Sequence, residues 1–236
     1  MFGWPLIFII TLLAPGGAFE PSPPGNQSKT KPTSQPADTL KSWLTDLAAE
    51  NADARRAARV NLLNISRADL MTIRTLIAAG AARQPAQKQA LTDIVCHVFL
   101  ATEPYETAPG ESFFGLFKYR PVAVGERMGL IFESRLIGFP AYASLEDGDI
   151  ILAVEEMPEI DFTSNNPLVV VRKNFAPGET IHLRVLRDDR VLAVSLKLAA
   201  APSWTGQGMD ERLIREQQAT EFWRTAFEPL WAPKAE

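Results

Sequence analysis

Two histidines and one cysteine are the only groups of their kind in this 236-residue chain: His97, His182 and Cys96. Cys96 and His97 are consecutive in a helical stretch, where neighbouring side chains diverge and make a poor nucleophile–base pair. His182 takes the polar position of an alternating strand pattern and is expected to face solvent or a partner. The densest acids are Asp147, Asp149, Glu155 and Glu156, grouped around a turn at Gly148. No Gly-x-Ser-x-Gly elbow, P-loop, His-Glu-x-x-His or paired-cysteine spacing occurs. These residues predict no cofactor, no metal site and no bond-making chemistry. The run Phe113-Phe114-Gly115-Leu116-Phe117 is different. It exposes too much apolar surface for an ordinary turn, while Gly115 permits either a positive φ or a strand bulge.

Elements of two textures must position these groups. From Asp38 to about Thr102 the apolar period is helical. Leu40, Trp43, Leu44 and Leu47 mark a first helix with Asp38 as its N-cap. A second, starting after Asn51 or Asp53 and ending at Leu63, buries Ala54, Ala57, Ala58 and Leu62. A third runs from Ser66 through Leu70, Ile73 and Ile77 to a stop at Gly80. A fourth starts near Pro85 and buries Leu91, Ile94, Val95 and Val98. Short connections favour antiparallel neighbours. The stretch from Asp53 to Leu63 weakly resembles a HEAT-repeat helix. Two helix pairs are fewer than a solenoid needs, so a small bundle fits better.

After Pro104, β-branched and aromatic residues alternate with polar ones. Gly129 to Glu133 and Ile150 to Val154 read as short strands. Ile181, Leu183 and Val185, then Leu192, Val194, Leu196 and Leu198, form the buried side of a hairpin turning at Asp188-Asp189. Between them, Leu168, Val171 and Phe175 give a helical stripe, which core packing alone also explains. A last helix spans Glu211 to Phe227, capped by Asp210. Its aromatics Phe222, Trp223 and Phe227, with Trp231 beyond, fit docking onto the preceding domains or an exposed partner-binding segment.

Acids outnumber Lys and Arg, 28 to 24, and there are no long basic runs, which disfavours nucleic acid or anionic lipid as a partner. Residues 2–14 are apolar and uncharged, and small residues at 16 and 18 suit cleavage of a signal peptide after Ala18. This run is shorter than the roughly 20 apolar residues of a membrane-spanning helix. The expected location is therefore periplasmic or extracellular, with an uncleaved anchor through residues 2–14 as the alternative. Residues 19–37 read as a Pro/Ser-rich linker. Asn26 and Asn64 head glycosylation sequons.

Four segments occur in a telling order: Phe113-Phe114-Gly115-Leu116, then Gly138 to Ile151 with its Gly148-Asp149-Ile150-Ile151 end, then Ala176-Pro177-Gly178-Glu179, then Leu186-Arg187-Asp188-Asp189. Together they resemble the PDZ domain of HtrA-type serine proteases, here without room for a protease domain. Ser144 stands where that pattern has glycine, and Asp189 replaces a turn glycine. The resemblance implies an α+β chain: a helical bundle over 38–104, a PDZ-type partly open β-barrel with a groove helix over 109–200, and a helical tail over 201–236. It also implies a peptide site. Backbone N–H groups of Phe114, Gly115 and Leu116 would hold a terminal carboxylate, and the peptide would add as a strand along Leu116, Phe117, Lys118 and Tyr119. Phe114 and Leu116 with Leu168, Val171 and Arg172 would line a pocket for an apolar last residue. Lys118 and Arg172 are more often solvated charges than carboxylate partners. The implied partners are protein C-termini or extended segments, with an envelope protease, a secretion complex or a purely structural role as alternatives.

Overall fold

The computed structural model describes residues 34–164, 166–205 and 209–232. The signal-peptide reading, most of the linker and the Asn26 sequon lie outside them. Within them the chain is α+β.

Helix α1 (Ala37–Asp46) buries Leu40 and Leu44, and Leu47 follows on the same side. Pro36 holds the N-cap position, and Asp38 lies in the first turn without a capping bond. There its charge still complements the positive helix end. Helix α2 (Ala52–Leu63) is capped by Asn51, whose side chain accepts from the Asp53 and Ala54 N–H groups at 2.8 and 3.1 Å. Ala58, Leu62 and Leu63 are buried, but Ala57 is exposed and Ala54 only partly covered. The apolar stripe is thus narrower than the alanines suggest.

Helix α3 (Asp69–Ala78) starts three residues after Ser66. The reason is Asp69, whose buried carboxylate accepts from the Ser66 N–H and hydroxyl, the Gln35 N–H and the Ser34 hydroxyl. Burial alone would raise its pKa, but these hydrogen bonds outweigh burial and hold it below the usual carboxylate value. Helix α4 (Pro85–Thr102) opens with Pro85 and a Gln84–Gln87 capping box. Besides Leu91, Ile94, Val95 and Val98 it buries Cys96, His97, Phe99 and Leu100, so it is covered on nearly every side.

The last helix, α7 (Met209–Ala226), packs along α4. Asp210 lies inside it rather than at its cap. Trp223, Phe227 and Ala219 enter the same core as α1–α4, and Phe222 stacks on Phe99 at 4.7 Å. The helical layer is therefore assembled from both ends of the described chain. That placement removes the cost of leaving the tail aromatics in water.

The second layer is an open antiparallel sheet ordered β2 (Leu116–Val124), β3 (Arg127–Arg135), β4 (Ile150–Val154), β5 (Thr180–Arg187) and β6 (Arg190–Lys197). A separate ribbon pairs β1 (Thr107–Phe113) with β7 (Ala199–Pro202). Among the described residues no barrel closes. Asp188 and Asp189 both take positive φ, as a two-residue hairpin turn requires. Leu130, Ile151, Ile181, Leu183, Val185 and Leu196 form the sheet's apolar side, covered by α6 (Pro167–Asn174) through Leu168 and Val171. A short helix, α5 (Pro140–Ser144), lies between the layers.

Charges join the layers. Arg56 of α2 reaches Glu146 at 3.0 Å and Asp188 at 2.9 Å. Arg187 pairs with Glu146 and with the buried Asp149 at 2.6 Å, so that buried charge is compensated. A third, small cluster of Phe113, Leu136, Phe139 and Ala201, flanked by Tyr105 and Trp204, fills the space beside the ribbon.

Candidate functional site

Strand β1 ends at Phe113 and β2 begins at Leu116, so Phe114 and Gly115 make the turn. Gly115 has φ +87°, and a Cβ there would lie 2.3 Å from the Cβ of Phe139. Glycine is required on both counts. The close approach is to Phe139, whereas the sequence pointed to a ligand carboxylate. The Phe114 carbonyl accepts from the Ala141 N–H at 2.9 Å, and the Gly115 carbonyl accepts from the Leu136 N–H at 2.7 Å. Every peptide bond is trans among the described residues. In a planar trans peptide the C=O and the following N–H point in opposite directions. With both carbonyls turned toward residues 136–141, the Gly115 and Leu116 N–H groups project to the opposite side. Two successive N–H groups aimed one way suit an anion.

That opposite side continues as the outer edge of β2, which pairs with β3 along its other edge. Phe117 is 38% exposed, with the Arg212 guanidinium of α7 5.9 Å from its ring. Lys118 is exposed and takes φ +51°, a left-handed residue in the middle of the edge. Tyr119 reaches across to α6, its hydroxyl 3.4 Å from Asn166 Oδ1. Helix α6 packs against β1.

The apolar residues expected to line the last-residue pocket share one region of the fold. Phe114, Leu116, Leu168 and Val171 do come together, but as members of the sheet's core, with Val171 fully buried. Arg172 does not face this cluster: it donates to the Ser112 carbonyl at 2.9 Å, pairs with Glu111 at 2.7 Å and sits 5.4 Å from the Phe113 ring. Its charge fastens α6 to β1, so it is neither solvated nor a pocket wall.

Several other titratable groups find structural partners. Burial, aided by the nearby Asp93 charge, pushes the Cys96 thiol up to about 11, and its Sγ lies 3.5 Å from the Ala219 carbonyl. His97 turns elsewhere, its Nδ1 accepting from the Gly138 N–H at 3.0 Å. His182 is exposed and lies 2.6 Å from Glu156. Arg55, Arg56, Arg59 and Arg135 line a cleft of about 580 Å³ between the layers. Each is already engaged: Arg55 by the Ala49 and Glu50 carbonyls, Arg56 by Glu146, Arg59 by Asp93, Arg135 by Asp147. Among the described residues no cluster of acids, histidine or cysteine is spaced to hold a metal, and no helix is long and apolar enough to cross a membrane.

Sequence reasoning missed Phe139, Asn166 and Arg212. Phe139 follows Gly138 in a segment singled out for other reasons. For Asn166 and Arg212 no sequence signal exists, since both act across the fold.

No protein-family model matches the sequence, and no curated protein does. Solved structures of the HtrA-type protease AlgW align with part of it. The complex with a decapeptide aligns over 50% of this chain and 34% of its own, at 17% identity and a TM-score of 0.35. The complex with a tripeptide aligns over 41% of this chain and 34% of its own, at 19% identity and 0.34. The chain spans about a third of the length of those proteins.

Proposed function

We propose that this chain is an exported, non-catalytic peptide-binding protein whose site is the Phe114–Leu116 turn and the outer edge of β2. The ligand is a protein C-terminus or an extended segment. Its carboxylate meets the Gly115 and Leu116 N–H groups, and its backbone adds to β2 from Leu116 toward Tyr119, opposite α6. The observation that carries this reading is the pair of inward carbonyls, at Phe114 and Gly115, which turns two consecutive N–H groups toward an unpaired strand edge. The combination of an anion nest and a strand edge is what a free peptide terminus needs, and neither alone is specific for it. An apolar last residue enters by displacing α6 side chains such as Leu168 from Leu116.

One observation favours a second reading. The full burial of Val171 and the left-handed Lys118 also suit a structural envelope protein with a degenerate groove. A screen of the full chain against peptides with free C-termini, each repeated as the C-terminal amide, separates the two. The peptide-binding reading expects selective binding that amidation abolishes, with amide chemical shifts moving at Gly115, Leu116 and along α6. Binding that ignores amidation, or no binding, defeats it and leaves the structural reading.

A further inference from the structure

The turn that presents the N–H pair does not stand on the sheet alone. Its support, residues 136–141, is seated on helix α4. The Gly138 N–H donates to His97 Nδ1 at 3.0 Å. Gly138 has φ +86°, and a Cβ there would lie 2.5 Å from Leu100 Cβ, so the segment rests against α4 with no room to spare. The next residue, Phe139, is the one that meets Gly115, and Ala141 is the one that orients the Phe114 carbonyl. Contacts therefore run without a gap from α4 through Gly138 and Phe139 to Gly115.

From this geometry we infer that His97 is a positioning residue for carboxylate recognition, and that through it the helical layer sets the peptide affinity of the β2 edge. The inference rests on the peptide-binding reading above. His97 is held for this role from several sides. Its ring stacks on Tyr142 of α5 at 5.2 Å and 16°. Arg59 of α2 and Arg135 of β3 stand near the ring, 5.9 and 5.2 Å from the Tyr142 ring, while Asp93 lies one turn earlier on α4 and pairs with Arg59. Burial first, then those two arginines, lower its pKa to about 4. The ring is thus neutral at ordinary pH, with Nδ1 free of hydrogen to accept and the proton on Nε2. Phenylalanine preserves the ring and the stacking but offers no acceptor. Asparagine restores an acceptor near the Nδ1 position.

The test measures affinity of the full chain for a carboxylate-terminated peptide and for its amide, in wild type, His97→Phe and His97→Asn, well below each variant's melting temperature. His97→Phe is expected to weaken carboxylate-dependent binding about tenfold, the scale of one lost buried hydrogen bond, with recovery in His97→Asn. A purely structural role would lower the melting temperature of both variants and leave the affinity of the folded fraction unchanged; that result overturns the inference. If His97→Phe does not fold, His97→Asn and His97→Gln are compared instead, and affinity must follow the hydrogen-exchange protection of the Gly138 amide. Affinity independent of that protection overturns the inference equally. Failure of wild type itself to distinguish acid from amide defeats the underlying reading instead.

Discussion

The two halves of the candidate site are built in opposite ways. At the Phe114–Gly115 turn, Leu136, Phe139 and Ala141 hold the backbone from one side, and α4 holds those residues in turn. Along the outer edge of β2, Phe117, Lys118 and Arg120 are exposed, and one cross-groove contact, Tyr119 to Asn166, bridges to α6. The rigid half suits the feature that every ligand of the proposed kind shares, its carboxylate. The exposed half is where side chains that differ between ligands would be told apart. For a ligand of the proposed kind, preorganisation would be concentrated where the ligand is constant, which would lower the ordering cost of binding.

Substitutions at glycine give the sharpest test of that contrast. Gly115→Ala and Gly138→Ala each place a Cβ within 2.5 Å of a neighbour at positive φ, and each is expected to cost about 3 kcal/mol or more. Gly125→Ala, in the β2–β3 turn at φ +59° with open space around it, keeps only the φ cost, about 1 kcal/mol. Denaturant unfolding of the three variants measures the difference, and equal losses would erase the distinction between seam and edge.

Acidification addresses the seam from another direction. The folded His97 ring takes up a proton only near pH 4, the unfolded one near 6.5. Between those values the unfolded state binds more protons, so stability present above pH 6.5 is lost as pH falls toward 4, by roughly 2–3 kcal/mol. Asp93 opposes this, since burial, against the pull of Arg59 and Arg135, raises its pKa and makes the folded state take a proton first. The pH dependence of wild type minus that of His97→Asn isolates the histidine, and identical profiles would show that His97 is not held neutral.

Arg172→Ala removes the bond to Ser112 and the Glu111 pair, and is expected to cost about 1–2 kcal/mol by thermal unfolding. If Arg172 served the ligand instead, peptide affinity would fall while stability held. The smallest effect belongs to the edge: Phe117→Ser should change stability by less than about 0.5 kcal/mol. Its effect on peptide selectivity, read from the same library, is what would mark the edge as a recognition surface.

Local pattern carried much of the architecture. The stripe Leu40, Leu44, Leu47, the Asn51 cap, Pro85 at a helix start and the alternation around Asp188-Asp189 are set by residues a few positions apart, and the elements they imply are present within a few residues. The α+β class follows from that order of elements. Asp38 lies two residues beyond the cap position, and the sequence reads it as the cap because any acid near a helix start satisfies the same electrostatics.

The sequence by itself thus determined helices α1–α4, α6 and α7 and strands β4–β6 with part of β3, because propensity and periodicity act over short distances. The resemblance placed Phe114 and Leu116 with Leu168, Val171 and Arg172 around one pocket, yet sequence alone could not tell a pocket from a core, since both want the same apolar side chains. Only the tertiary structure decided that Val171 is fully covered, that Arg172 serves β1, that Gly115 makes room for Phe139, and that the tail aromatics complete the helical core. Each of these depends on which distant surface arrives to fill a given space. His97 shows the limit most clearly. Its identity is plain in the chain, while its task depends on Gly138, 41 residues away, delivering an N–H to its ring.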